Sequence, residues 1–86
     1  MSDAKKKFDK AVADLKALKD DPGNATKLKL YALFKQASVG DVEGKRPGFT
    51  DMVGRAKYDA WAALKGTSPE VAMTQYTDLV NGLLKA

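Results

Sequence analysis

The chain contains no cysteine and no histidine. Together those absences remove thiol nucleophiles, imidazole bases, disulfide frameworks and the Cys and His zinc patterns. No stretch approaches the roughly 18 consecutive apolar residues of a membrane span, and the opening "MSDAKKKFDK" lacks the apolar core of a secretory signal. A soluble, cytoplasmic protein without stable membrane association is therefore expected. Low-complexity tracts, internal repeats and linkers are missing too, and nothing reads as a strand.

What remains is 86 residues, 44% hydrophobic and 30% charged, the composition of a folded domain rather than a disordered one. A chain this short buries only about two thirds of the surface its unfolded form exposes. Residues 1–86 are accordingly expected to form a single domain, a monomer with one core and one functional surface. Fifteen Lys and Arg against eleven Asp and Glu give a formal charge of +4, which suits an anionic partner and equally serves solubility. The lysines at 5–7 stand beside Asp3 and Asp9, and the basic residues are dispersed along the chain, so no nucleic-acid partner is expected.

Apolar periodicity marks four helices. Phe8, Ala11, Val12, Leu15 and Leu18 recur at three- and four-residue steps after the candidate caps Ser2 and Asp3, and "DDPGN" ends that run. Asn24 is a candidate cap for a second helix with Leu28, Leu30, Tyr31, Leu33, Phe34 and Ala37, which stops at Gly40. After the loop "GDVEGKRPGFT", Asp51 or Thr50 can cap a third helix through "MVGRAKYDAWAALK", with Gly54 weakening its first turn and Gly66 following its end. "TSPE" supplies Ser68 as a cap and Pro69 at the first position of a fourth, whose stripe is Ala72, Tyr76, Leu79, Val80 and Leu83. Short connections and one longer central loop indicate a compact all-α bundle.

Two helices carry more than a core requires. On a wheel of about 100° per residue, Leu30, Leu33 and Ala37 fall within one arc of roughly 60°, with Phe34 at its edge. Leu28, Tyr31 and Lys35 fall on the opposite side, so another helix or a ligand should cover that face. A covering helix would need only the lysine stem to lie along apolar surface with its head in water. A ligand would instead use Tyr31, Phe34 and Lys35 as an aromatic and cationic patch that stacks on a ring and pairs with a phosphate. In the third helix Lys57 falls inside the apolar arc, either as a snorkelling side chain or as a phosphate contact at the mouth of an apolar groove. Tyr76, in the middle of its stripe, reads as a half-buried tyrosine whose hydroxyl needs a partner; Lys16 reads as a solvated lysine.

"GDVEGKR" is not a phosphate-binding P-loop. It has three residues rather than four between its glycines, Arg46 where Ser or Thr should hold magnesium, and no preceding strand. Asp41, Glu43, Asp51 and Asp59 show no paired spacing for general acid and base work. No enzyme activity, no cofactor and no metal are expected.

In combination, "YALFKQASVGD" at 31–41, "RPG" at 46–48, "GRAKYDAWAALKG" at 54–66 and "AMTQY" at 72–76 closely resemble the acyl-CoA-binding protein family across nearly the whole chain. The resemblance implies an up-down-down-up four-helix bundle that carries and buffers medium- to long-chain fatty acyl-CoA without transforming it. It implies that Tyr31 and Lys35 engage the CoA head, that Phe34 meets the adenine, and that Lys57 pairs with the ribose 3′-phosphate. By the same matching Tyr76 lines the site, Lys16 lies near the nucleotide, and Leu28, Val53 and Ala56 border the acyl chain.

The chain departs from the family pattern at four positions. Phe34 can stack but has no hydroxyl, and Tyr58 replaces a tryptophan, leaving Trp61 as the sole indole. Val53 stands where lysine is frequent and Lys27 where an apolar residue is frequent, so chain-length preference is the least transferable property. A second reading, a helical interaction module for protein or acidic lipid surfaces, is also compatible with the modest positive charge.

Overall fold

The computed structural model describes residues 3–85, which hold four α-helices: α1 (Asp3–Lys16), α2 (Asn24–Ser38), α3 (Met52–Ala62) and α4 (Pro69–Lys85). Ser2, one of the two candidate caps of α1, lies outside the described residues. Asp3 sits in the first turn of α1, where a carboxylate faces the positive end of the helix dipole.

Contacts along the seams set the helix directions. The cleft that holds Ala4 and Lys7 is completed by Thr74 and Thr77, and the next one, with Ala11 and Asp14, by Thr77 and Asn81; α1 and α4 run parallel. Leu28 shares a cleft with Val53 and Ala56, Tyr31 meets Lys57 and Lys35 meets Trp61, so α2 and α3 are parallel as well. Gln36, near the end of α2, bonds the Thr67 carbonyl just ahead of α4, and Phe34 meets Tyr76, which makes α2 and α4 antiparallel. The result is the expected up-down-down-up bundle.

The packed pairs are α1 with α4, α4 with α2, and α2 with α3, giving a flat body of 36 × 30 × 15 Å. α2 is thus covered from two sides, which is why its apolar residues fall on two arcs. The core joins Phe8 and Ala11 of α1, Leu30, Leu33 and Ala37 of α2, and Ala72, Tyr76 and Val80 of α4. From α3 only Trp61 is buried, so this helix is a wing on α2 rather than a wall of the core.

Four local expectations are corrected. Gly23, not Asn24, is the N-cap of α2, and no side chain bonds there. The chain enters with Gly23 at φ 93°, a region costly for residues with a Cβ, so Asn24 already belongs to the first turn. α1 stops at Lys16, and Leu18 sits in the tightened turn beyond it, where Ala17 and Leu18 donate to the carbonyls of Asp14 and Leu15. α3 likewise stops at Ala62, and residues 63–66 pass into turns. Tertiary bonds compete there: the Trp61 indole donates to the Gly40 carbonyl at 2.7 Å, and the Gly66 amide donates to Asp41 at 2.9 Å. Finally, Gly54 is part of the α3 cap, because its amide donates to Asp51 at 2.9 Å and a Cβ there would collide with the Asp51 carboxylate.

The other expected boundaries hold. Gly40, at φ 101°, closes α2, with its amide and that of Val39 both donating to the Lys35 carbonyl. Ser68 caps α4 by accepting from the Val71 amide. The loop between α2 and α3 is tied to α3 by Arg46, which donates to both carboxylate oxygens of Asp59 at 2.8 and 2.7 Å, and by the Tyr58 hydroxyl, which donates to the Gly44 carbonyl. Gln36, fully buried, donates to both Asp41 and the Thr67 carbonyl. Asp41, Asp51 and Asp59 therefore each hold a turn or a loop.

Candidate ligand-binding site

The seam between the two parallel helices brings together most of the residues singled out in the sequence. Tyr31 and Lys35 are one helical turn apart on α2, and Lys57 and Trp61 stand in the same register on α3. The Lys57 ammonium lies 5.4 Å from the centre of the Tyr31 ring, and the Lys35 ammonium 5.2 Å from that of Trp61, both within cation–π range. Each helix thus presents a lysine to an aromatic face on the other. Neither ammonium has a carboxylate partner among the described residues. α3 therefore covers the second face of α2 at Trp61, and the cations remain available.

Toward the starts of α2 and α3 the seam opens into a groove of about 390 Å³, lined by Leu28, Val53, Ala56 and Lys57 together with Asn24, Lys27 and Met52. The three residues expected to border an apolar tail thus share one groove, with Lys57 in its wall. On the far side of Met52, Phe49 is 86% exposed and supports the Arg55 guanidinium 4.7 Å from its ring centre.

Phe34 and Tyr76 belong to an aromatic cluster with Phe8. Ring centres are 5.8 Å apart for Phe8 and Phe34, 5.1 Å for Phe8 and Tyr76, and 6.4 Å for Phe34 and Tyr76, all within the range of favourable aromatic contact. Phe34 reaches the surface, at 39% exposure, whereas Tyr76 is 3% exposed and so is not the half-buried residue that its stripe suggests. Tyr76 and Phe8 pack edge to face, and burial pushes the Tyr76 phenol pKa above the ordinary value. Lys16, exposed at the end of α1, has no hydrogen bond, ion pair or ring contact with these groups among the described residues.

Free cations on aromatic faces beside an apolar groove can accept a molecule that is anionic at one end and apolar at the other. A family model described as "Acyl CoA binding protein" matches residues 5–80. The chain belongs to the acyl-CoA-binding protein family. It is 46% identical over 77 residues to the acyl-CoA-binding protein homolog of Drosophila melanogaster, an alignment covering 90% of each chain. It is also 46% identical over 83 residues to enoyl-CoA delta isomerase 2 of Homo sapiens, covering 96% of this chain and 21% of that protein. The chain thus spans about a fifth of the length of that human relative. Among solved structures, Oryza sativa acyl-CoA-binding protein 2 superposes with a TM-score of 0.91 at 41% identity, covering 95% of this chain and 89% of the other.

In this member of the family, sequence reasoning missed parts of the seam. Trp61 was legible as the sole indole, but its use as the platform for Lys35 depends on helix register that periodicity does not report. Asn24 and Met52 complete the groove without belonging to any stripe. Phe49 and Met52 did leave a signal, being large apolar residues at a loop and helix start, outside every core arc.

Proposed function

We propose that residues 1–86 form a single, non-catalytic acyl-CoA-binding domain that carries and buffers medium- to long-chain fatty acyl-CoA thioesters. The observation that carries this reading is the pair of carboxylate-free lysines, Lys35 and Lys57, set on aromatic rings at one end of the groove lined by Leu28, Val53 and Ala56. The two ammoniums and the Tyr31 hydroxyl serve as charge-assisted and neutral donors to the CoA 3′-phosphate. Phe34 offers its exposed face to the adenine, Tyr76 lines the site from within, and Lys16 acts near the nucleotide. No resident cofactor or metal takes part, and the domain works as a cytoplasmic monomer without nucleic-acid partners or stable membrane association.

Each methylene buried in the groove contributes about 0.8 kcal/mol, so eight more carbons add up to roughly 6 kcal/mol as an upper bound for an open groove. Long chains should therefore be strongly preferred to acetyl. Free fatty acid lacks the head that the lysines and Tyr31 address.

Calorimetric titration with palmitoyl-CoA, acetyl-CoA, CoA and palmitate tests the reading. The expected result is tight one-to-one binding of palmitoyl-CoA and much weaker binding of the other three. Palmitate binding as well as palmitoyl-CoA, or no saturable binding at all, would overturn it. A second reading, a helical module that docks on protein or acidic lipid surfaces, draws on the exposed Phe49, Met52 and Val53; it predicts no saturable acyl-CoA binding.

A further inference from the structure

Two clefts meet at Lys27. One is the groove between α2 and α3. The other, of about 360 Å³, lies between the end of α1 and α2 and is lined by Leu15, Leu18, Pro22 and Leu30 and by the charged Lys19, Asp20 and Asp21. Lys27 is the residue common to both linings, so its side chain is the ridge between them. Its ammonium donates to Asp21 Oδ2 at 2.8 Å, while Oδ1 of Asp21 accepts from the Gly23 amide at 2.8 Å. The acceptor is therefore fixed by the same backbone that turns into α2. Both side chains remain more than half exposed, so the ridge is hydrated.

We propose that Lys27, held by Asp21, is a specificity-determining residue that ends the acyl groove with a hydrated charge and sets the chain length beyond which affinity stops rising. The inference rests on the carrier reading above. At 1.5 Å of rise per residue, the α2 wall from Tyr31 to Asn24 spans only about 10 Å, so the tail of a long chain must continue past it. Beyond Lys27 lies the second cleft, whose Leu15, Leu18, Pro22 and Leu30 offer that tail apolar contacts between charged neighbours. Reaching it requires stripping water from an ammonium and its carboxylate, which opposes the gain from burying methylenes. Lys27→Met would keep an unbranched stem, remove the charge and leave an apolar ridge between the two clefts.

The test is a calorimetric series of octanoyl-, dodecanoyl-, palmitoyl- and arachidoyl-CoA against the unmodified protein, Lys27→Met and Asp21→Asn, with melting curves as a control for folding. In the unmodified protein the affinity should rise and then level off within the series. In Lys27→Met it should keep rising to the longest chain, with each further pair of methylenes adding up to roughly tenfold. Asp21→Asn, which frees the ammonium to swing aside, should give a smaller rise for the longest chain. Parallel length profiles in the unmodified protein and in Lys27→Met would overturn the assignment of Lys27 while leaving acyl-CoA carriage intact. Absence of saturable binding by the unmodified protein to every acyl-CoA would overturn the carrier reading itself, and the role of Lys27 with it.

Discussion

Lys35 and Lys57 rest on aromatic rings rather than on carboxylates, and that choice of partner leaves their charge unspent. A ring quadrupole attracts a cation by about 0.5–1 kcal/mol at exposed sites, whereas a charge-assisted hydrogen bond contributes about 1.5–3 kcal/mol. A phosphate can therefore outcompete the ring without breaking an ion pair first. Lys57→Ala should weaken palmitoyl-CoA and free CoA by the same factor, about tenfold and at the low end of that range because Lys57 is exposed. Titrations in which the variant keeps its affinity for both ligands would remove Lys57 from the proposed head-group contacts. The lysines themselves were legible in the sequence, Lys57 as a cation inside an apolar arc and Lys35 as the companion of Leu28 and Tyr31 on the face opposite the core. Their ring partners were not, because pairing Tyr31 with Lys57 and Lys35 with Trp61 requires the relative register of two helices separated by a loop of 13 residues, 39–51.

Among the elements, α3 shows how a local rule can point the wrong way. Gly54 reads as a weak residue in a first turn, and replacing it by alanine in an ordinary exposed helix would gain up to about 1 kcal/mol. Here the added Cβ would displace the Asp51 carboxylate that caps the helix, and losing such a cap costs about 1 kcal/mol. Gly54→Ala alone should therefore leave stability unchanged or lower it. In an Asp51→Ala background, where the cap is already gone, it should stabilise by up to about 1 kcal/mol. Urea denaturation of the four proteins checks this, and equal effects of Gly54→Ala in both backgrounds would refute the coupling. The caps at Asp51 and Ser68 and the stop at Gly40 follow from residue type and could be read directly. The early ends of α1 and α3 could not, because they depend on turn hydrogen bonds and on the bonds from Trp61 and Gly66 to the loop that follows α2.

Across the whole molecule, pH should act from both ends of the scale. Asp41 is held below the usual carboxylate range by the Gly66 amide and Gln36, Asp59 by Arg46, and Asp21 by Lys27 and the Gly23 amide. Near and below the unfolded value of about 4, the unfolded chain binds protons more readily at these positions, so the stability they contribute is lost as pH falls through their folded pKa values. Tyr76 behaves oppositely: burial raises its pKa, and its contribution is lost as pH climbs above about 10. Melting temperature should be flat around neutrality and fall at both extremes, with Tyr76→Phe reducing the alkaline fall; an unchanged alkaline limb in that variant would exclude Tyr76 as its source. The same molecule places one wall of its candidate groove on α3, which among the helices packs against α2 alone and has Trp61 as its one buried residue. Such a wing is where local opening should be least costly. A ligand that bridges α2 and α3 would close that weak joint, so occupancy and the integrity of the third helix become one equilibrium, and the empty protein should be distinguishable from the ligand-bound protein by how often α3 lets go.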